Sequence, residues 1–148
     1  MASLLVINGP NLNLLGVREP ENYGTTTLKV IEARLRKRAE AEKVDLQFVQ
    51  SNHEGELIDC IHQARVDQID CMIVNAAAYS HYSIAIYDAL KAVQIPFIEV
   101  HLSNIYKREE TFRHTSLLSP IAVGGIFGFG AESYDLAFEA AMKMIRNK

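Results

Sequence analysis

The chain has 148 residues, which suits one compact domain and is too short for two ordinary ones. Hydrophobic residues make up 49% of it and charged residues 22%, so an intrinsically disordered chain is excluded. The net charge of -3 provides no strongly basic surface, and nucleic-acid binding is therefore excluded as well.

Short apolar runs alternate with helical patterns from one end of the chain to the other. The runs at residues 4–7, 44–49, 71–74, 97–100 and 121–123 predict five strands. Most of them are continuously apolar, which is typical of strands that are covered on both faces. Between them, apolar residues at helical spacing predict four helices. The four stripes are Leu28, Ile31, Leu35 and Ala39; Leu57, Cys60, Ile61 and Ala64; Ile86, Ala89, Leu90 and Val93; and Ala137, Ala140, Ala141 and Met144.

This alternation predicts an α/β fold, in which helices cover both faces of a parallel sheet. A flavodoxin-like, doubly wound sheet of five strands in the order 2-1-3-4-5 fits a single domain over residues 1–148. A barrel of eight repeats would need roughly 250 residues. Ligands of open parallel sheets bind beyond the carboxyl ends of the strands, which here are Asn8, Asn75 and His101.

The two cysteines and the short apolar runs predict where in the cell the protein resides. The runs are too short for a membrane-spanning helix or a secretory signal peptide. Cys60 and Cys71 have neither metal-binding nor disulfide spacing, and both stand among apolar residues. We therefore expect two buried free thiols in a protein of the reducing cytoplasm, with no membrane partner.

Glu99 and His101 are the clearest candidates for chemistry. Residues two apart on a strand face the same side of the sheet, so the carboxylate can reach the imidazole. Such a pair fixes the tautomer of the ring and favours its protonated form, as a general acid requires. The alternative is a buried ion pair that only specifies the core, because a carboxylate in a central strand is costly unless it is paired.

The connection after the first strand is much longer than the roughly two to six residues that are usual between a strand and a helix. It contains Arg18 and Tyr23, and long connections of this kind often act as lids. An unperturbed tyrosine titrates near ~10, and a neighbouring guanidinium would stabilise the phenolate. The alternative is that the tyrosine packs on the body of the protein while the arginine is solvated.

The segment after the third strand predicts a ligand site, whereas the segment near the fifth strand predicts only a turn. Short side chains at residues 76–78 would let a ligand approach the backbone closely, beside a helix that we expect to begin near residues 80–82. His81 is then either a neighbour of the helix cap or a ligand contact. The glycines at residues 124–125 and 128–130 predict the last turn between strand and helix, and they do not match the dinucleotide-binding fingerprint.

Two other classes of flavodoxin-like protein fit poorly. A phosphoacceptor receiver domain needs acidic residues where Asn8 and Asn75 stand. A flavin carrier needs a loop rich in serine and threonine after the first strand, and residues 10–13 read PNLN. A scaffold protein without activity is a third alternative, but every proposed catalytic side chain is present.

Together these segments resemble the type II 3-dehydroquinate dehydratases over essentially the whole chain. Residues 7–20 read INGPNLNLLGVREP, followed by Tyr23 and Gly24, and this stretch alone is highly specific. Residues 75–81 read NAAAYSH, and residues 99–104 read EVHLSN. The turn at residues 128–130, with Ser133 and Tyr134 after it, is similar to the C-terminal turn of the family.

The resemblance implies a lyase that removes water from 3-dehydroquinate, in the third step of the shikimate pathway, without a metal or an organic cofactor. It makes Tyr23 the base and Arg18 the cation beside it. It makes His101 the acid, oriented by Glu99, and it gives Asn11 a role at the enolate oxygen. An imine mechanism is not expected, because no lysine ends a predicted strand.

The resemblance also implies the substrate contacts and a homo-oligomer. The carboxylate of the substrate would be held by Asn75, Leu102 and Ser103, and its hydroxyls by His81 and an arginine after the fourth strand. That arginine is Arg113 by its Phe-Arg-His order, with Arg108 as the rival because this segment is one residue longer than the family's pattern. Asp88 would reach the site of a neighbouring subunit in a dodecamer built from trimers.

Overall fold

Five parallel strands form a sheet in the order β2-β1-β3-β4-β5. The computed structural model describes residues 1–17, 19, 21 and 25–148. The strands are β1 (Ser3–Asn8), β2 (Asp45–Gln50), β3 (Cys71–Asn75), β4 (Phe97–His101) and β5 (Gly124–Phe127). This confirms the predicted α/β fold and its strand order.

Helices cover both faces of the sheet. Within the described residues, the helices of ten or more residues are α1 (Leu28–Glu42), α2 (Glu54–Val66), α3 (Ile84–Val93) and α4 (Glu132–Arg146). One buried cluster joins α1 and α4 to the face that contains Leu4 and Val6, and another joins α2 and α3 to the face that contains Leu5 and Ile7. Alternate residues of β1 therefore serve two separate cores, which explains why this strand is continuously apolar.

The starts of two helices follow from single side chains. The Thr27 hydroxyl accepts a hydrogen bond of 3.3 Å from the N–H of Val30 at the start of α1. The Ser83 hydroxyl accepts one of 3.0 Å from the N–H of Ile86 at the start of α3. Each bond satisfies a backbone donor that has no partner within its helix, and such a cap contributes about 1 kcal/mol.

The prediction for the fifth strand was wrong. β5 spans Gly124–Phe127, whereas the apolar run at residues 121–123 contains the end of a 3-10 turn, Ser119–Ile121. The two glycines that we expected in the following turn lie in the strand itself. Gly125 has no side chain where the ring of Phe127 packs, since a Cβ there would lie 2.4 Å from that ring.

The two cysteines differ in their burial. Both thiols are free; Cys71 is buried, and burial raises its pKa to about 11. Cys60 is only half-buried, which corrects the prediction of two buried thiols, because it lies at the margin of the apolar stripe of α2. The described part of the chain contains no helix with the length and apolar character needed to cross a membrane.

Candidate active site

The carboxyl ends of β1, β3 and β4 border a cleft of about 470 Å³, part of which is open to solvent. The register aligns these ends, since Asn8 of β1 lies beside Asn75 of β3 and Val74 lies beside Glu99 of β4. The predicted site residues that line the cleft are Asn11, Asn75, His81, His101, Leu102, Ser103 and Arg113.

Glu99 and His101 form a buried pair at the floor of the site. The Nε2 atom of His101 lies 2.7 Å from a carboxylate oxygen of Glu99, and both side chains are almost completely buried. Nε2 therefore carries the proton that is donated to the carboxylate, and this fixes the tautomer of the neutral ring. The same ring packs against Phe127 of β5, with 5.5 Å between the ring centroids.

Two hydroxyl groups that the sequence analysis did not single out complete the surroundings of Glu99. Ser116 donates a hydrogen bond to the carboxylate oxygen that His101 contacts, and Ser119 donates one to the other oxygen. Burial alone would raise the pKa of Glu99, but the bonds from His101, Ser116 and Ser119 outweigh it and lower the pKa. A buried carboxylate has two oxygens that need hydrogen-bond donors, and His101 contacts only one of them. The sequence signal for further donors was therefore the buried position of Glu99 itself.

His81 lies across the cleft from His101, with their rings stacked at 6.3 Å between centroids. Its Nδ1 atom lies 2.8 Å from the backbone oxygen of Thr115, which can only accept, so Nδ1 carries a proton. Burial lowers the pKa of His81, and the neighbouring His101 and Arg113 lower it further. In the neutral ring, Nε2 is therefore a hydrogen-bond acceptor.

The connections after β1 and β3 touch each other at the cleft. Gly9 donates its N–H to the backbone oxygen of Asn75 at 2.8 Å. A Cβ on Gly9 would lie 2.4 Å from the backbone oxygen of Ala76, so only glycine fits without a shift. Beyond this contact, Asn11 adopts a left-handed backbone conformation, with φ of 68°, and lines the cleft.

The helix expected near residues 80–82 begins later. A 3-10 turn, Ala77–His81, occupies this stretch, and α3 begins at Ile84 after the cap at Ser83. The start of α3 therefore does not supply the backbone donors that we expected at residues 80–82. Ala77 and Ala78 of the turn do line the cleft, as their short side chains indicated.

Both arginines of the segment after β4 lie in the cleft. Arg108 is buried and contacts the Ser103 hydroxyl and a Glu110 carboxylate oxygen, each at 3.4 Å. The Nε of Arg113 is buried and makes no hydrogen bond within the described residues, and the Glu110 carboxylate is 3.8 Å away. A buried N–H without an acceptor is a donor that a ligand can satisfy.

Three further predicted site residues are not among those that line the cleft in the described part of the chain. Asp88 is exposed on α3 and does not line the cleft of its own chain. Arg18 and Tyr23, the predicted cation and base, are outside the described residues. Among the residues that the structure describes, no group of three or more histidine, cysteine or acidic side chains is arranged to hold a metal ion.

The sequence model of the family Dehydroquinase class II matches residues 2–142, nearly the whole chain. The chain belongs to the class II dehydroquinase family. This agrees with the resemblance of the segments at residues 7–20, 75–81 and 99–104.

Individual dehydroquinases support the assignment. The 3-dehydroquinate dehydratase of Cellvibrio japonicus is 56% identical over 145 residues, which are 98% of this chain and 97% of that one. The 3-dehydroquinate dehydratase 1 of Pseudomonas aeruginosa is 56% identical over 146 residues, 99% of each chain. The crystal structure of the type II dehydroquinase of Butyrivibrio crossotus has a TM-score of 0.92 at 42% identity, covering 95% of this chain and 97% of that one.

Proposed function

We propose that this chain removes water from 3-dehydroquinate to give 3-dehydroshikimate through an enolate intermediate. The observation that carries the proposal is the buried Glu99–His101 pair, whose histidine lines the cleft, in a chain of the dehydroquinase family. The names of relatives that match nearly the full length of the chain support the substrate and the reaction class.

His101 acts as the general acid in this proposal. Glu99 holds Nε2, and Nδ1 is the ring nitrogen without a partner among the described residues. In the protonated ring, Nδ1 can give its proton to the hydroxyl that leaves the substrate. The carbon–oxygen bond then breaks, the electron pair of the enolate forms the new carbon–carbon double bond, and the hydroxyl departs as water.

Tyr23 is the proposed base that takes the proton next to the ketone. The electron pair of that carbon–hydrogen bond forms the enolate, which needs a donor near its oxygen. Arg18 would favour the phenolate form of Tyr23, and Asn11 would help to stabilise the enolate oxygen through a water molecule. These roles rest on the resemblance of residues 7–24, and the position of Asn11 at the cleft supports its part.

Substrate binding is divided between donors and acceptors. Asn75 and the segment at residues 102–103 would hold the carboxylate, for which N–H and O–H donors are needed. His81 offers an acceptor at Nε2, which suits a ring hydroxyl that donates. Among the described residues, the buried Nε of Arg113 has no acceptor, which supports Arg113 over Arg108 as the contact of a hydroxyl oxygen.

The proposed partners are the small-molecule substrate and further copies of the chain. We propose a homo-oligomer, a dodecamer built from trimers, in which Asp88 reaches the site of a neighbouring subunit. Its exposure on α3, away from the cleft of its own chain, supports such a role. The two free cysteines support a reducing cytoplasm as the location.

The first experiment is a direct assay of the reaction. Protein treated with a chelator is mixed with 3-dehydroquinate, and the ultraviolet absorbance of the conjugated enone product is followed. We expect turnover to survive chelation and to collapse in the His101→Ala variant. The matched control is His62→Ala, which removes an exposed histidine of α2 and should leave turnover unchanged.

Two results would contradict the proposal. A folded, assembled protein that does not convert 3-dehydroquinate would leave the fold in place and favour a scaffold or binding function. Full turnover in His101→Ala would remove this residue as the acid, even if the reaction itself were confirmed.

A further inference from the structure

A line of buried hydrogen bonds connects the backbone of β2 to the amide of Asn75. The Nδ2 of Asn8 donates to the backbone oxygen of Val49 at 2.9 Å. The Tyr134 hydroxyl donates to the Oδ1 of Asn8 at 2.6 Å, and the Nδ2 of Asn75 donates to the Tyr134 oxygen at 3.0 Å. Asn8 and Tyr134 are fully buried, and Asn75 is 2% exposed.

The backbone oxygen of Val49 determines which group donates and which accepts in every hydrogen bond of this line. A backbone carbonyl can only accept, so Asn8 must turn its NH₂ group to Val49 and its oxygen to Tyr134. The tyrosine has one hydroxyl proton, which goes to Asn8, so it presents only lone pairs to Asn75. Burial raises the pKa of Tyr134, which keeps this proton in place. Asn75 must therefore turn its NH₂ group to the tyrosine.

The other half of the Asn75 amide is also committed. Its Oδ1 accepts a hydrogen bond of 3.1 Å from the N–H of Ala77, which has a φ of 52° at the start of the cleft-lining turn. Within the part of the chain that the structure describes, the amide therefore keeps one hydrogen without a partner, on Nδ2. In the opposite orientation its oxygen would face Tyr134, and the NH₂ group would face the N–H of Ala77, donor against donor.

We propose that Tyr134 is a positioning residue that, together with Asn8, locks the Asn75 amide so that the cleft presents an N–H donor to the substrate carboxylate. The proposal rests on the role of Asn75 given under the proposed function. Neither Tyr134 nor Asn8 lines the cleft, so both act through Asn75. Carboxylate recognition requires donors, and an amide that could turn over would present its oxygen to an anion for part of the time.

The test is the Tyr134→Phe variant, which removes the hydroxyl and keeps the ring. We expect the KM for 3-dehydroquinate to rise about tenfold or more, the effect of losing one hydrogen bond to a charged group, and kcat to change much less. Asn75→Ala should raise KM as well. The variant that carries both changes should be no worse than Asn75→Ala alone, because Tyr134 acts through the same amide.

A matched control separates positioning from stability. Phe138 is fully buried one turn further along α4, and its side chain has no polar atom that could take part in these hydrogen bonds. Phe138→Leu should lower the melting temperature and leave KM unchanged. Should Tyr134→Phe fail to fold, Asn8→Ala serves instead. It removes the acceptor of the tyrosine proton, which can then turn towards Asn75 and compete with the N–H of Ala77 for the amide oxygen, so KM should rise in the same direction.

The outcomes distinguish this inference from the proposed function. An effect of Asn75→Ala on KM without any effect of Tyr134→Phe would overturn the inference alone. An unchanged KM in Asn75→Ala would overturn both the inference and the assigned role of Asn75. If no variant folds, a crystal structure of the wild-type protein with bound substrate decides. The substrate carboxylate should contact the Asn75 amide atom that lies against Tyr134, which is Nδ2. Contact with the amide atom that lies against Ala77 would refute the inference.

Discussion

At the scale of single residues, the buried carboxylate of Glu99 depends on the donors around it. Removing such a group from water is costly, and only hydrogen bonds to both oxygens offset that cost. His101, Ser116 and Ser119 provide them, and the pKa of Glu99 lies below its ordinary value as a result. Glu99 can therefore remain ionised beside His101 and orient its ring.

The pH dependence of stability should report on this site. Because the folded state lowers the pKa of Glu99, its ionised form stabilises the fold above about pH 4.3, and this contribution is lost as the pH falls through the folded-state pKa. We expect Glu99→Gln to lower the free energy of unfolding by about 1–3 kcal/mol near neutral pH. The difference from wild type should shrink in acid, as measured by chemical denaturation across that range.

The control for this measurement is Glu109→Gln, the same chemical change at an exposed position of the segment after β4. It should leave the free energy of unfolding close to the wild-type value at each pH. A difference between wild type and Glu99→Gln that stays constant into acid would show that the charge of Glu99 does not stabilise the fold.

The predicted base gives a second test at this scale. Tyr23→Phe removes the phenolic oxygen, so proton abstraction should slow by about a hundredfold or more, while the substrate still binds. Steady-state kinetics and calorimetric binding measure the two effects separately. Tyr87→Phe, the same change on α3, is the control. Near-normal turnover in Tyr23→Phe would exclude this residue as the base.

At the scale of elements, the close approach of two connections organises the cleft. Gly9 follows β1 and contacts the backbone of Ala76, which follows β3, and the next residues of the two segments carry Asn11 and Ala77 to the cleft. The absence of a side chain at this one position therefore determines how closely the two segments approach each other.

Gly9→Ala should disturb both stability and activity. Its Cβ would lie 2.4 Å from the Ala76 oxygen, which forces the backbones apart. We expect a loss of about 1–3 kcal/mol in the free energy of unfolding and a raised KM. Gly55→Ala is the matched control, since α2 leaves open space around Gly55 and alanine favours a helix. Equal behaviour of the two variants in denaturation and kinetics would refute the argument.

Elements differ in how well the sequence predicts them. Runs such as residues 4–7 and 71–74 are apolar because both faces of their strands are covered, and hydrophobicity locates them. β5 is an edge strand whose glycines are exposed, so hydrophobicity does not mark it. The prediction therefore fell on the apolar run just before it. The same limit applies to the site: Glu99 and His101 follow from strand periodicity, whereas Ser116 and Ser119 reach Glu99 through a segment without a regular repeat.

At the scale of the whole molecule, the proposed role of Asp88 links the site of one chain to a neighbouring subunit. Asp88 is exposed on α3 and does not line the cleft of its own chain. If each site is completed by Asp88 of a neighbour, a site needs His101 from one subunit and Asp88 from another. Sedimentation should then find the active protein as an oligomer, and a fully active monomer would contradict the proposal.

Mixed assemblies test this division directly. His101→Ala subunits lack the acid in their own site but can supply Asp88 to a neighbour. Asp88→Ala subunits keep His101 in their own site but supply no aspartate to a neighbour. Refolding the two together should give turnover above the mean of the separate preparations, because some Asp88→Ala subunits gain a neighbour with a normal aspartate. Mixing Asp88→Ala with the variant that carries both changes should give no such gain. A gain in neither mixture would show that Asp88 does not act across a subunit interface.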